Sequence, residues 1–127
     1  MGSPNTLYKV SRRINQDVAN GKEPLAAMSY HMSDFRHEMK ERDAGWMQAA
    51  IEQDPPHVSE IIDVWLAGLA EYLAQRHGLL PPAWVGHPSR FLPELMYLGS
   101  PSQREHYLVN TPTAWGRRNL ICGEPEL

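Results

Sequence analysis

The stretch from Ser59 to Gly78 sets the tightest limit on what this chain can fold into. Ile61, Ile62, Trp65, Leu66, Leu69, Tyr72 and Leu73 recur there at helical spacing. Together they make an apolar stripe too wide for a helix that lies on a surface. The remaining elements must therefore pack around this helix. Its ends are marked as well. Ser59 is placed to accept hydrogen bonds from the first free N–H groups, and Asp63 sits near the positive end of the helix dipole. Arg76 and His77 lie at the negative end, and Gly78 suits the left-handed residue that closes a helix. The pattern predicts a helix from about Val58 to His77, with Ile62, Trp65, Leu66, Leu69 and Leu73 largely inaccessible.

Two helical segments precede it. From Thr6 to Asn20, Leu7, Val10, Ile14 and Val18 form one apolar stripe, with Asn5 or Thr6 as cap and Gly21 as stop. From Pro24 to about Gln53, Leu25, Met28, Met32, Phe35 and Met39 are spaced three, four, three, four, and Trp46 resumes the seam seven residues later. Arg42 interrupts it and Gly45 is a poor interior residue, so a break is expected near Asp43-Ala44-Gly45, followed by a shorter helix from Trp46 to Glu52. The methionine seam reads as core packed on the central stripe, although methionine also lines adaptable binding grooves.

After Gly78 the chain changes character. Most of its eleven prolines fall here, and they fix turns rather than long elements. Pro81–Val85 and Pro88–Pro93 read as short turns. Ser100-Pro101 starts a helix to about Val109, and Thr111-Pro112 starts a shorter one ending near Arg118. Leu120-Ile121-Cys122 reads as extended. The expected fold is all-α or nearly so: a compact bundle of about five to six helices with a proline-rich, turn-rich C-terminal half. It forms one domain over residues 1–127, with N-terminal helices over 6–53 and a C-terminal region over 57–127.

A net charge of −3 argues against a nucleic-acid or anionic-membrane partner for the isolated chain, since such partners select basic surfaces. A single cysteine permits no internal disulfide, and no apolar run reaches membrane-spanning length. A cytoplasmic protein is expected. Gly2 and Thr6 match the outline of an N-myristoylation motif, which Pro4 disrupts.

The candidate chemistry is sparse. Asp34 and His37 stand three apart on one helix, as in half of a carboxylate-bridged metal site, which needs a matching pair on a second helix and further carboxylates to complete it. These two residues, with Glu38 and Glu41, read as the solvated face opposite the methionines. Cys122, between Ile121 and Gly123, reads as a small packed hydrophobe rather than a nucleophile. No serine sits in a nucleophile elbow, and no glycine-rich phosphate loop occurs. No catalytic, metal-binding or cofactor-binding residue is therefore assigned.

The adjacent pairs Arg12-Arg13 and Arg117-Arg118 would form a basic spot if they met in space. Aromatic and arginine side chains supply much of the energy of protein interfaces, and proline-held turns lose little entropy on binding. Trp84, Phe91, Tyr97, Trp115, Arg117 and Arg118 follow no period that assigns them to a core, so they are the candidate partner-binding surface. The competing reading is that Trp84 and Trp115 plug the ends of the bundle.

Several of these residues also carry a resemblance. The run Ile62 to Ala74, then Arg76-His77-Gly78-Leu79, Pro82-Ala83-Trp84, Arg90-Phe91-Leu92 and Val109 to Asn119 resembles the C-terminal domain of bacterial helix-turn-helix regulators of the Xre class. That resemblance covers about three fifths of the chain, from Glu52 to Leu127. It implies an antitoxin-like or regulatory protein whose partner is a nucleotidyltransferase-type toxin from a two-gene module. The chain departs from the pattern in lacking the N-terminal three-helix DNA reader, since Thr6–Asn20 is one short helix. A non-enzymatic protein-binding role follows from the resemblance. The alternatives are a DNA-binding transcriptional regulator and a small-ligand sensor, and self-association is left open.

Overall fold

The computed structural model of the chain describes residues 5–123. The N-myristoylation outline, which rests on Gly2, lies outside the described residues.

Helix α1 spans Leu7–Ala19 and opens on Thr6, whose hydroxyl accepts from the Lys9 N–H at 3.1 Å. Helix α2 spans Pro24–Met39, with the Glu23 carboxylate accepting from the Leu25 and Ala26 N–H groups at 3.0 and 2.8 Å. The turn between them uses Gly21 at φ +91°, a conformation L side chains rarely adopt. The two helices pack side by side, and His31 of α2 meets Asp17 of α1 at 2.7 Å. Met28, Met32, Phe35 and Met39 are buried in one cluster with Leu7, Val10 and Ile14. The seam is core, as expected, but its main neighbour is α1, and α4 touches α2 only lightly.

The expected break falls at residues 40–43, and α3 runs over Ala44–Glu52. It starts two residues earlier than Trp46 because Asp43 caps it, accepting from the Trp46 N–H at 2.9 Å. That start puts Gly45 in the first turn, where it costs less than in a helix interior.

Helix α4 covers Glu60–His77 and is the pillar of the fold. Ile62, Val64, Leu66, Ala67, Leu69, Ala70, Leu73 and Ala74 are all buried, as are Asp63, Gly68 and Glu71, so the helix is enclosed on nearly every side. The Ser59 hydroxyl accepts from the Ile62 N–H at 3.4 Å, and Gly78 closes the helix at φ +65°. Trp65 departs from expectation: it is only half-buried. One part of its indole packs on Trp115, with centroids 6.0 Å apart, and the remainder lines an open groove.

Beyond α4 the chain makes two single 3-10 turns, Ala83–Gly86 and Pro88–Arg90, both against α4. Strand β1 (Met96–Tyr97) follows, then a 3-10 turn at Pro101–Gln103 that leads into α5 (Arg104–Asn110). Helix α6 (Thr113–Gly116) and strand β2 (Leu120–Ile121) complete the described chain. The two strands pair in parallel, Met96 opposite Leu120 and Tyr97 opposite Ile121. Extension at Leu120–Ile121 was legible in the sequence, whereas β1 was not. The turn into β2 uses Asn119 at φ +65°, with its side-chain amide donating to the Leu92 carbonyl at 2.9 Å. With six α-helices and one two-residue ladder among the described residues, the fold is an all-α bundle in all but that detail. No described helix is long and apolar enough to cross a membrane.

Candidate functional site

The six residues nominated from the sequence fall into different environments. Trp115 is fully buried. Its ring lies where a Cβ on Gly68 would stand 2.3 Å from Cδ1, so the missing side chain of Gly68 makes room for the indole. Its Nε1 donates to the Trp65 carbonyl at 3.0 Å, and the Tyr72 ring lies against it, tilted, with centroids 5.2 Å apart. Trp84 is buried too, and its Nε1 donates to the Ile51 carbonyl at 2.9 Å. Both tryptophans are therefore core plugs, not exposed anchors. In each case the indole N–H satisfies a backbone carbonyl, which the burial of both groups requires.

The arginine pair splits. Arg118 is fully buried, which corrects the expectation of two exposed side chains. It donates to Glu71 at 3.2 Å, to the Ala114 carbonyl at 2.5 Å and to the Val85 carbonyl at 2.7 Å. Burial lowers its pKa from the ordinary value, and the hydrogen bond and charge of Glu71 oppose that shift. Arg117 is half-exposed and reaches the other oxygen of Glu71 at 3.1 Å. Phe91 is half-buried, with the Arg118 and Arg117 guanidinium carbons 4.8 and 5.5 Å from its ring centroid. Tyr97 is half-buried on β1 with the Arg104 guanidinium 5.2 Å from its ring centroid. Phe91, Arg117 and Arg118 thus share one cluster around Glu71, while Tyr97 stands with Arg104.

A second buried arginine escaped the sequence reading. Arg90 donates to Asp54 at 2.5 Å, to the Pro55 carbonyl at 2.7 Å and to the Asp63 carbonyl at 3.2 Å, with the Trp84 ring 4.9 Å away. Asp63 in turn accepts from the Val58 N–H and from His57 Nδ1, both at 2.8 Å. Arg90 therefore joins its 3-10 turn to the segment before α4. Arg118 does the same between α6, α4 and the Ala83–Gly86 turn. In both cases a guanidinium supplies the several fixed donors needed where short irregular segments leave carbonyls inside.

The apolar side chains left outside are unevenly placed. Of the six large ones exposed among the described residues, Leu95, Met96, Leu108 and Val109 fall within fifteen positions in the turn-rich half, and the others are Tyr30 and Leu80. Their supports are fixed. Tyr107 of α5 occupies the space over Gly99 and Gly123, where an added Cβ would come within 2.7 and 2.6 Å of its ring. The Thr111 hydroxyl accepts from the N–H groups of Cys122 and Gly123 at 3.2 and 3.0 Å, which anchors the end of α5 beside β2. With Tyr107 and Thr111 used inward, α5 turns Leu108 and Val109 to solvent.

Asp34, His37 and Glu41 are exposed and Glu38 is half-buried, and Arg42 reaches Glu38 at 3.7 Å. No three His, Cys, Asp or Glu among the described residues are grouped to hold a metal ion. Cys122 is half-buried, and burial pushes its thiol pKa up to about 12, which keeps it protonated at neutral pH. The basic residues Arg12 and Arg13 lie with Lys9 and Gln16 along one face of α1. Comparison of the chain with protein families, with curated proteins and with solved structures finds no match.

Proposed function

We propose that the chain is a non-enzymatic protein-binding domain, the antitoxin-like or regulatory half of a bacterial two-gene module, which acts by covering its partner. One observation carries the binding part of this reading: exposed Leu95, Met96, Leu108 and Val109 fall within fifteen positions of the turn-rich half, where Tyr107 packs over Gly99 and Gly123 and Thr111 fixes the end of α5. Apolar side chains on a pre-ordered support bury area on association without a large ordering cost. Tyr97, half-exposed Arg117 and the accessible part of Phe91 belong to the same turn-rich half and are its polar and aromatic contributors.

The antitoxin-like part rests on the resemblance to the Xre-class C-terminal domain. The partner it implies, a nucleotidyltransferase-like toxin, presents a basic nucleotide or nucleic-acid site. An acidic domain of net charge −3 is steered toward such a site and occludes it. Direct DNA binding is a weaker reading, because Arg118 is internal and Arg117 is paired with Glu71, so this arginine pair adds no free basic spot. The test is mass spectrometry of what co-purifies with the tagged chain from its native host. One stoichiometric protein with a basic active-site cleft is the expected result. Recovery of DNA alone would replace the proposal with the regulator reading.

A further inference from the structure

Strand β1 is paired along one edge and open along the other. The Met96 and Leu98 N–H groups donate to the Asn119 and Ile121 carbonyls, both at 2.8 Å, so these two residues face β2. Main-chain groups alternate in direction along a strand, which turns the N–H and C=O groups of Leu95 and Tyr97 the opposite way. Among the described residues the sheet holds only β1 and β2, and no main-chain group pairs with that second edge. The far edge of β2 is treated differently, since Thr111 Oγ1 accepts from the Cys122 N–H there at 3.2 Å. Proteins usually guard an open edge with charge, proline or a covering element. Here Leu95 and Met96 are exposed and Tyr97 is half-buried, so apolar side chains line the open edge.

We infer that β1 pairs antiparallel with β1 of a second copy of the chain, in a two-fold dimer whose sheet runs unbroken across the axis. The edge is complementary to itself, which is what selects this occupant. With the axis at Met96, Leu95 of each copy lies opposite Tyr97 of the other. These are the residues whose N–H and C=O groups face outward, so each such pair exchanges both main-chain hydrogen bonds. An aliphatic and an aromatic side chain meet across each pair, a favourable cross-strand combination. Met96 meets its own symmetry mate in a non-hydrogen-bonded pair, where side chains approach most closely. Charge does not oppose the arrangement. Glu94 falls opposite Leu98, and the two Glu94 residues are offset by about 13 Å along the strands. Pro93 and Gly99, the latter at φ +132°, bound the open edge, so each copy adds one short strand. The dimer is therefore weak, with a dissociation constant of about 10–100 µM, at the low end of specific interfaces. An extended peptide from another protein could use the same main-chain groups, but a second copy brings the matching side chains with it. Leu95 and Met96 also belong to the proposed partner surface. The dimer forms in the pure chain and the partner complex needs a second protein, so the two proposals fail separately.

Sedimentation velocity on the purified full chain, from about 5 µM to about 1 mM, tests the pairing, and the average mass should climb from monomer toward dimer over that range. Leu95→Pro removes an outward N–H that β2 does not use, and Met96→Glu sets two carboxylates face to face on the axis. Each should weaken the dimer about tenfold or more while the circular dichroism spectrum stays that of wild type. Should the proline disturb β1, Met96→Glu alone carries the comparison, because that side chain is already exposed. Crosslinking in a Cys122→Ala background reads the register. Met96→Cys should form an intermolecular disulfide under mild oxidation, since the Cα atoms of such a pair stand about 4.5 Å apart. Glu94→Cys should not, since its mates lie beyond the limit of about 7 Å. A monomer at every concentration overturns the inference and leaves the edge to an extended segment of another protein. A dimer that both folded variants leave intact, or that crosslinks through Glu94→Cys as readily as through Met96→Cys, forms by another surface and overturns it as well.

Discussion

At the residue scale, the decisive positions are those where one side chain removes a conflict that the backbone creates. Gly68 faces Trp115 so closely that a methyl group there has no room. Gly68→Ala should cost about 1–3 kcal/mol through overpacking, although alanine is the better helix former. A denaturation midpoint equal to or above wild type would show that the indole moves aside freely. Arg118 removes a different conflict, since it serves the buried carbonyls of Ala114 and Val85 while meeting Glu71. Arg118→Met should destabilise by about 3–5 kcal/mol, because it strands both buried carbonyls and leaves the buried Glu71 carboxylate with Arg117 alone. Arg117→Ala, at a half-exposed position on the same carboxylate, should cost less than about 1 kcal/mol. Chemical denaturation of the two variants side by side checks the contrast. Cys122 gives the pH dependence. Its thiol pKa rises from the ordinary 9.0 to about 12 in the fold, so the unfolded chain releases this proton first. The stabilisation is present in full below pH 9 and is lost as pH rises from 9 toward 12. Unfolding curves at a series of alkaline pH values should show this loss in the wild type and a smaller one in Cys122→Ala. Identical slopes would place the thiol in an environment no drier than water. Cys122, between Ile121 and Gly123, already reads in the sequence as a small packed hydrophobe, whereas Gly68 and Arg118 do not announce their roles. A glycine inside a helix and the second of two adjacent arginines look the same whether they are buried or exposed. The distinction depends on which distant segment returns to cover them.

At the element scale, legibility followed the length of the periodic signal. In α4 a wide apolar stripe, a serine cap, and charges and a glycine of the right kind at the far end all agree, and the helix begins and ends within two residues of the expected bounds. The α2 seam was equally plain as a buried face. Its main partner, α1 rather than α4, was not, because periodicity fixes a face and not the element that covers it. Strand β1 left no trace, since two residues have no period and its pairing depends on a β2 more than twenty positions away. The candidate site suffered most. Its nominees lie in short turns without a period, yet Trp84, Trp115 and Arg118 are buried through contacts to α3, α4 and the Ala83–Gly86 turn. Aperiodic segments between prolines can enter a core one side chain at a time, and no pattern in the sequence marks which one. The element-level prediction concerns α4. Leu66 is fully buried on the pillar, so Leu66→Ala should cost about 2–5 kcal/mol from lost transfer energy and the cavity left behind. The same truncation at Trp65 acts on a half-buried ring and should unfold the bundle less cooperatively with the core than its size implies. A Leu66→Ala curve within about 0.5 kcal/mol of wild type would remove α4 from the centre of the fold.

At the scale of the whole molecule, the two halves divide the work. The helices α1 to α4 spend their apolar faces on one another, and the turn-rich half closes that core with Trp84, Leu92, Trp115 and Leu120. After that closure it still carries Leu95, Met96, Leu108 and Val109 outside. Loss of these four side chains should therefore leave the fold nearly untouched, since exposed positions away from caps and strained backbone usually shift stability by about 0.5 kcal/mol or less. On a protein-binding face the same loss is severe, because association draws on a few apolar and aromatic anchors. The discriminating variant is Leu108→Asp with Val109→Asp. Both residues lie on α5 and are exposed, whereas Tyr107 and Thr111 make the contacts that anchor it. A carboxylate at each position would be solvated in the free chain but desolvated in any complex that covers α5. The expected outcome is a melting curve matching wild type together with loss of the co-purifying protein. Arg117→Ala serves as the companion, weakening the complex modestly and mainly through its association rate, as a rim charge does. If the double aspartate variant unfolds, α5 is part of the core and its outward residues have been misassigned. If it folds and the partner is retained at undiminished affinity, these exposed apolar residues are not the interface, and the basic face of α1 at Lys9, Arg12 and Arg13 becomes the next surface to vary.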